Sequence, residues 1–220
     1  MRRPRSPRVA ALLAGLGLLL AACANKHPTV AVSGEPRQPA SPDRIPAVLE
    51  ADQQQRFTTL LACAELAGLT TTLSGTGPMT LFAPTNDAFA SAGISCKATD
   101  TPSAEAKTTL NRTLLQHILD YDVALTPPPN FDPAKPTRGF VLVGIGTVTL
   151  PSELTDNEFA SLQINGSAKT VQRVNGPDVA RILGDGLHAP NGYIYAIDKV
   201  IVPAPPDAVP PSTTLPKPYE

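Results

Sequence analysis

The apolar positions fall into stretches with different periods. Val9 to Ala22 is an unbroken apolar run of 14 residues. Residues 24 to about 45 then carry almost no large hydrophobes. At Phe57, Leu60, Leu61 and Ala64 the spacing is i, i+3, i+4, i+7, which predicts an amphipathic helix with Asp52 as N-cap and Gly68 as its stop. A short turn, Leu69 to Leu73, leads to the Gly-rich segment 74–78. Met79 to Pro84 reads as a short buried strand closed by proline, and Thr85 as the N-cap of a brief helix through Phe89. Residues 95–103 read as a loop. Ser103 can cap a longer helix whose stripe is Leu110, Leu114, Leu115 and Ile118.

Beyond Tyr121 the period shortens. Gly139 to Leu150 predicts a strand pair, or one bent strand broken at Gly144 or Gly146. Phe159 to Ile164, Ala168 to Val174 and Asp178 to Leu183 continue the extended character, punctuated by Asn165-Gly166 and Asn175-Gly176 turns. Asn191-Gly192 precedes a last strand, Tyr193 to Val202. Ile194, Ala196 and Val200 should face one side, and Tyr193, Tyr195 and Ile197 the other. Helices first and strands afterwards imply an α+β fold rather than a doubly wound sheet.

Composition narrows the class. The hydrophobic fraction of 42% suffices for a core, and the 220 residues suit one domain. Many of the 25 prolines cluster in residues 24–45 and 205–220, which should stay extended as a tether and a tail around a folded unit, 46–204. Arg2, Arg3, Arg5 and Arg8 precede the 14-residue apolar run, which is short for a membrane span of about 20 residues. The first 22 residues therefore read as a cleaved export signal. Its loss leaves 14 basic against 19 acidic residues, about −5, a balance that disfavours nucleic acid.

Leu20-Ala21-Ala22-Cys23 resembles a bacterial lipobox, which implies acylation of Cys23 and cleavage just before it. Acylation would hold the chain on the cell envelope, and the outer membrane is the expected location in a Gram-negative cell, since Ala24 stands where an inner-membrane retention signal would place Asp. Cys63 and Cys96 remain as an even pair in an oxidising compartment. A disulfide between them and two buried free thiols are the alternatives.

Three segments carry a family resemblance. Thr80-Leu81-Phe82-Ala83-Pro84-Thr85-Asn86-Asp87-Ala88-Phe89 resembles the first signature motif of fasciclin (FAS1) domains, and Asn191-Gly192-Tyr193 through Asp198 to Pro203 resembles the second. Leu114 to Leu119 resembles the helix bearing the family's Tyr-His motif. Gln116 replaces the Tyr, His117 is retained, and Tyr195 stands where the second motif often has His. The resemblance implies a single FAS1-like domain, a β-sheet wedge with packed helices, in a family associated with adhesion and not with catalysis. Integrin recognition, linked to the Tyr-His region in animal members, is not carried over.

The motif residues Phe82, Pro84, Thr85, Asp87, Phe89, His117, Asn191, Gly192 and Asp198 are expected to specify the fold. Asp87 can bond amides at its helix start, His117 is expected as a hydrogen-bonded core residue, and Asn191-Gly192 supplies a tight turn. No Gly-x-Ser-x-Gly, phosphate-cradling loop or dinucleotide fingerprint occurs. His117 and His188 lie 71 positions apart without clustered ligands, so neither metal nor cofactor is expected. The expected function is non-enzymatic adhesion or matrix and envelope interaction from a lipid anchor, with a protein or polysaccharide partner and loop residues such as Phe131 and Phe140 as contacts. The alternative is a periplasmic module for a small ligand or an envelope protein.

Overall fold

A computed structural model describes residues 44–205, except 98, 130, 136–137 and 155–159. The signal, Cys23, most of the tether and the tail from residue 206 lie outside the described residues. The chain forms α1 (Ile45–Glu50), α2 (Thr58–Ala67), α3 (Thr70–Leu73), β1 (Met79–Pro84), α4 (Asn86–Ser91) and α5 (Ala104–Leu115). There follow β2 (Ile118–Leu119), β3 (Asp122–Ala124), β4 (Phe140–Leu142), β5 (Thr147–Pro151), β6 (Ser161–Asn165), β7 (Thr170–Arg173), β8 (Val179–Ala189) and β9 (Gly192–Ile197). The fold is α+β.

Seven strands make one sheet in the order β2-β1-β9-β8-β7-β6-β5, and β3 pairs with β4 separately. The first and last strands of the chain, β1 and β9, run parallel side by side at full length, from Met79↔Gly192 to Pro84↔Ile197. Period-2 alternation then divides the core in two. Leu81, Ala83, Ile194 and Ala196 point to the helices, meeting Phe57, Leu60, Ala64, Phe89 and Leu114. Phe82, Tyr195 and Ile197 point the other way, onto Leu119, Val123, Leu162, Ile164 and Val171. The rings of Phe82 and Tyr195 stack at 5.8 Å.

Several boundaries differ from those the pattern predicts. Helix α1 lies where the tether was expected to end. Its Ile45 and Leu49 are buried, and Arg44 at its start donates to the Ser74 carbonyl. Asp52 does not cap α2, which starts at Thr58. It accepts from the Arg56 amide at 2.8 Å and pairs with the Arg56 guanidinium at 2.8 Å, shaping the turn before the helix. Gly68 does end α2, in the left-handed conformation at φ 74. Helix α5 stops at Leu115, and Ile118 leaves the helical stripe to pair with Leu81 in β2. Residues 139–150 hold two strands that pair with different partners, β4 with β3 and β5 with β6. Strand β8 runs on to Ala189 through a bulge between Leu183 and Leu187.

Cys63, fully buried on α2, is bonded to Cys96, with Cα atoms 5.1 Å apart across 33 positions. Closing a loop of that length restricts the unfolded chain by about 3 to 4 kcal/mol. The double variant Cys63→Ala/Cys96→Ala should lose about that much in urea denaturation. A loss below about 1 kcal/mol would mean that the bond adds no net constraint.

Candidate functional site

The three motif segments meet around β1 and β9, and the polar side chains of Thr85, Gln116, His117 and Asn191 are buried there. Thr85 caps α4, its hydroxyl accepting from the Ala88 amide at 3.3 Å. Asp87, expected to bond amides at that helix start, is instead exposed in the first turn, where its charge suits the helix dipole. Asn86, absent from the predicted set, does the anchoring. Its Oδ1 accepts from the Thr59 amide at 3.0 Å, and its Nδ2 donates to the Gln55 carbonyl at 2.8 Å. This ties the end of β1 to the start of α2. Pro84 closes β1, while Phe82 and Phe89 are fully buried on opposite sides of the sheet.

His117 is fully buried in the turn after α5. The Ile201 amide donates to its Nε2 at 2.9 Å, so its Nδ1 carries the hydrogen and donates to the Thr113 carbonyl at 2.7 Å. The ring thereby joins the last turn of α5 to the chain beyond β9. Burial holds its pKa down at about 4, against the opposing pull of the Thr113 bond. Neighbouring Gln116 is also fully buried and donates to the Ala160 carbonyl at 2.8 Å.

Asn191 reaches furthest. Its Oδ1 accepts from the Ile45 amide at 3.0 Å, and its Nδ2 donates to the Leu73 and Gly75 carbonyls at 2.9 and 3.0 Å. One side chain thus satisfies groups on α1, α3 and the glycine-rich loop. Gly192 lies at φ 151, with the Met79 carbonyl crossing where a Cβ would stand. Asp198 accepts from both the amide and Nε of Arg181, each at 2.7 Å, and these bonds hold its carboxyl below the usual range despite partial burial. The Tyr195 hydroxyl donates to the Val123 carbonyl at 2.9 Å and accepts from the Leu125 amide at 3.2 Å. Burial pushes its pKa up to about 12.

Groups outside the motifs are more open. Burial raises the Asp122 carboxyl, partly countered by the nearby His188, whose ring meets Tyr193 edge-on at 5.0 Å. An open depression of about 510 Å³ lies between α1 and β8, lined by Ala47, Val48, Ala51 and Leu187 above the Asp52–Arg56 pair. Phe131 and Phe140 are half-buried against each other, rings 5.5 Å apart. Among the described residues no three His, Cys, Asp or Glu side chains converge to hold a metal ion.

The arrangement is that of a helix-covered sheet domain whose motif side chains fasten elements to one another. The sequence model of the Fasciclin domain family matches residues 55–203, and the chain belongs to that family. Protein sll1483 of Synechocystis sp. is 32% identical over 172 residues, covering 76% of this chain and 78% of that protein. A solved FAS1 domain pair from the insect cell adhesion molecule Fasciclin I is 18% identical with a TM-score of 0.39. The match covers 66% of this chain and 46% of that one, so the chain spans less than half of the pair.

Proposed function

We propose that this chain is a lipid-anchored, non-enzymatic fasciclin-domain module of the bacterial cell envelope, mediating surface adhesion or contact with an envelope or matrix partner. The partner class is a protein or a polysaccharide, and outer-membrane placement is the preferred site in a Gram-negative cell. One conjunction carries the reading: a lipobox cysteine, Cys23, stands about 20 residues ahead of the point where a fasciclin domain packs in at Ile45. About 20 residues can span at most roughly 60 Å, a length that would suffice to hold a domain clear of a membrane surface. Acylation at two sites would make such anchoring stable where one chain would not. The inward use of the motif side chains supports binding rather than catalysis, because the groups that could react are already engaged within the fold.

The test compares surface attachment by wild-type cells, a deletion strain and Cys23→Ala at matched expression. Loss of attachment in both altered strains is the expected result. Equal attachment by all three would remove adhesion and leave a periplasm-facing module as the better account.

A further inference from the structure

We propose that the outer edge of β5 is a self-association edge, at which two copies of this chain pair β5 against β5 in antiparallel fashion. Strand β5 ends the seven-stranded sheet, with only β6 as neighbour in it. Just past its end the Glu153 amide donates to the Ile118 carbonyl of β2 at 2.8 Å, so the open part of its outer edge runs only from Thr147 to Pro151. Its hydrogen-bonding parity is fixed at both ends. The Gly166 amide donates to the Gly146 carbonyl at 2.9 Å, and the Ser152 amide donates to the Ala160 carbonyl at 3.2 Å. In the register Val148↔Ile164 and Leu150↔Leu162, the even-numbered residues therefore turn their amide groups toward β6. The Val174 amide donates to the Ser161 carbonyl, so the odd-numbered residues of β6 bond to β7, which agrees. Thr147, Thr149 and Pro151 accordingly present their backbone groups outward. Among the described residues nothing bonds to them.

Open edges of this kind are usually blunted by charge, by Lys above all. Here the 14 residues 139–152 carry no charged side chain. Thr147 and Thr149 are exposed, and Ile145 at the head of the strand is 91% exposed. An uncharged edge offers no attraction to a charged peptide and no repulsion to its own copy. The outward groups are also self-complementary. With Thr147 opposite Thr149 of the second copy, the two-fold related pairs exchange four N–H···O=C bonds and set threonines against each other on the outer face. Pro151, which has no N–H, then falls outside those four bonds and lies level with the exposed Ile145 of the second copy. On the inner side Val148 and Leu150, already packed on the core, extend that apolar surface toward their counterparts.

Native mass spectrometry of the full-length chain, in detergent where the membrane holds it, reads the monomer–dimer balance against concentration. Thr149→Pro removes the outward N–H while leaving the bonds to β6, and Thr149→Lys places a charge on the edge. An intact Cys63–Cys96 bond and an unchanged Tm certify the fold, and Thr149→Lys decides if Thr149→Pro does not fold. The expected result is a wild-type dimer whose association weakens at least about tenfold, 1.4 kcal/mol, in either folded variant. A chain monomeric up to about 100 µM, or a dimer indifferent to the folded variants, overturns the proposal. So does a β5 edge found paired with a different protein while the chain alone stays monomeric.

Discussion

Gly192→Ala is expected to destabilise the domain by at least about 4 kcal/mol, among the largest effects a single methyl can have. The cause is backbone, not side chain. A Cβ at residue 192 would stand 1.7 Å from the Met79 carbonyl oxygen and 2.7 Å from its carbon. Those atoms belong to β1 at the point where it pairs with β9, so relief requires the two central strands to part. Parting them would disturb the Met79 amide bond to the Asn191 carbonyl, 3.1 Å, and beyond it the contacts of Asn191 with α1 and α3. Against a total stability of about 5 to 15 kcal/mol, such a loss leaves much of the protein unfolded or poorly expressed. Gly68→Ala is the control. It also has positive φ, 74, but nothing lies within 4 Å of its Cβ position, so only about 1 kcal/mol of backbone strain is expected. Urea denaturation of the two variants separates close approach from conformational strain. Equal, small losses would show that β1 and β9 can yield at this point.

Acid should weaken the fold through His117, and His117→Leu should abolish that sensitivity. A proton added to Nε2 would face the Ile201 amide, donor against donor, at a ring with no exposure to solvent. With the folded pKa near 4 and the ordinary value 6.5, the unfolded chain binds the proton first. Stability from the neutral ring is complete above about pH 6.5 and declines as pH falls toward 4, by roughly 3 kcal/mol in total. Asp122 and Glu153, whose carboxyls burial raises, act with the opposite sign, losing stability as pH rises through their folded pKa. The difference between wild type and His117→Leu isolates the histidine. At pH 7 the variant should itself be about 3 kcal/mol less stable, because the Thr113 carbonyl and Ile201 amide lose their buried partner. Parallel stability curves between pH 7 and 4 would contradict this role.

The strand pattern was the most legible part of the sequence. The alternation Tyr193, Tyr195, Ile197 against Ile194, Ala196 is a local property of β9, and it divides between the two cores as a period of two requires. The caps Thr85 and Ser103 were equally readable, since each bonds an amide three residues on. Elements fixed by distant partners were not. Helix α1 is six residues long and is held by its Ile45 amide bonding Asn191, 146 positions away. Strand β2 is two residues whose extension depends on β1. The reach of β8 was hidden because Gly184-Asp185-Gly186 interrupts its alternation with a bulge. Among the motif residues, Thr85, His117 and Asn191 act through named bonds. The role of Asn86 is not legible locally because its partners lie 27 to 31 positions earlier, on α2 and the turn before it.

Anchoring of a folded fasciclin domain to the envelope through Cys23 is what the proposed function requires. Intact-mass and N-terminal peptide mass spectrometry of the protein recovered from its native membrane tests it most directly. The expected result is a chain that begins at Cys23 and carries the mass of attached diacylglycerol and acyl groups, with Cys63 and Cys96 still bonded to each other. A mature chain that begins elsewhere, or one with an unmodified thiol at Cys23, would contradict it.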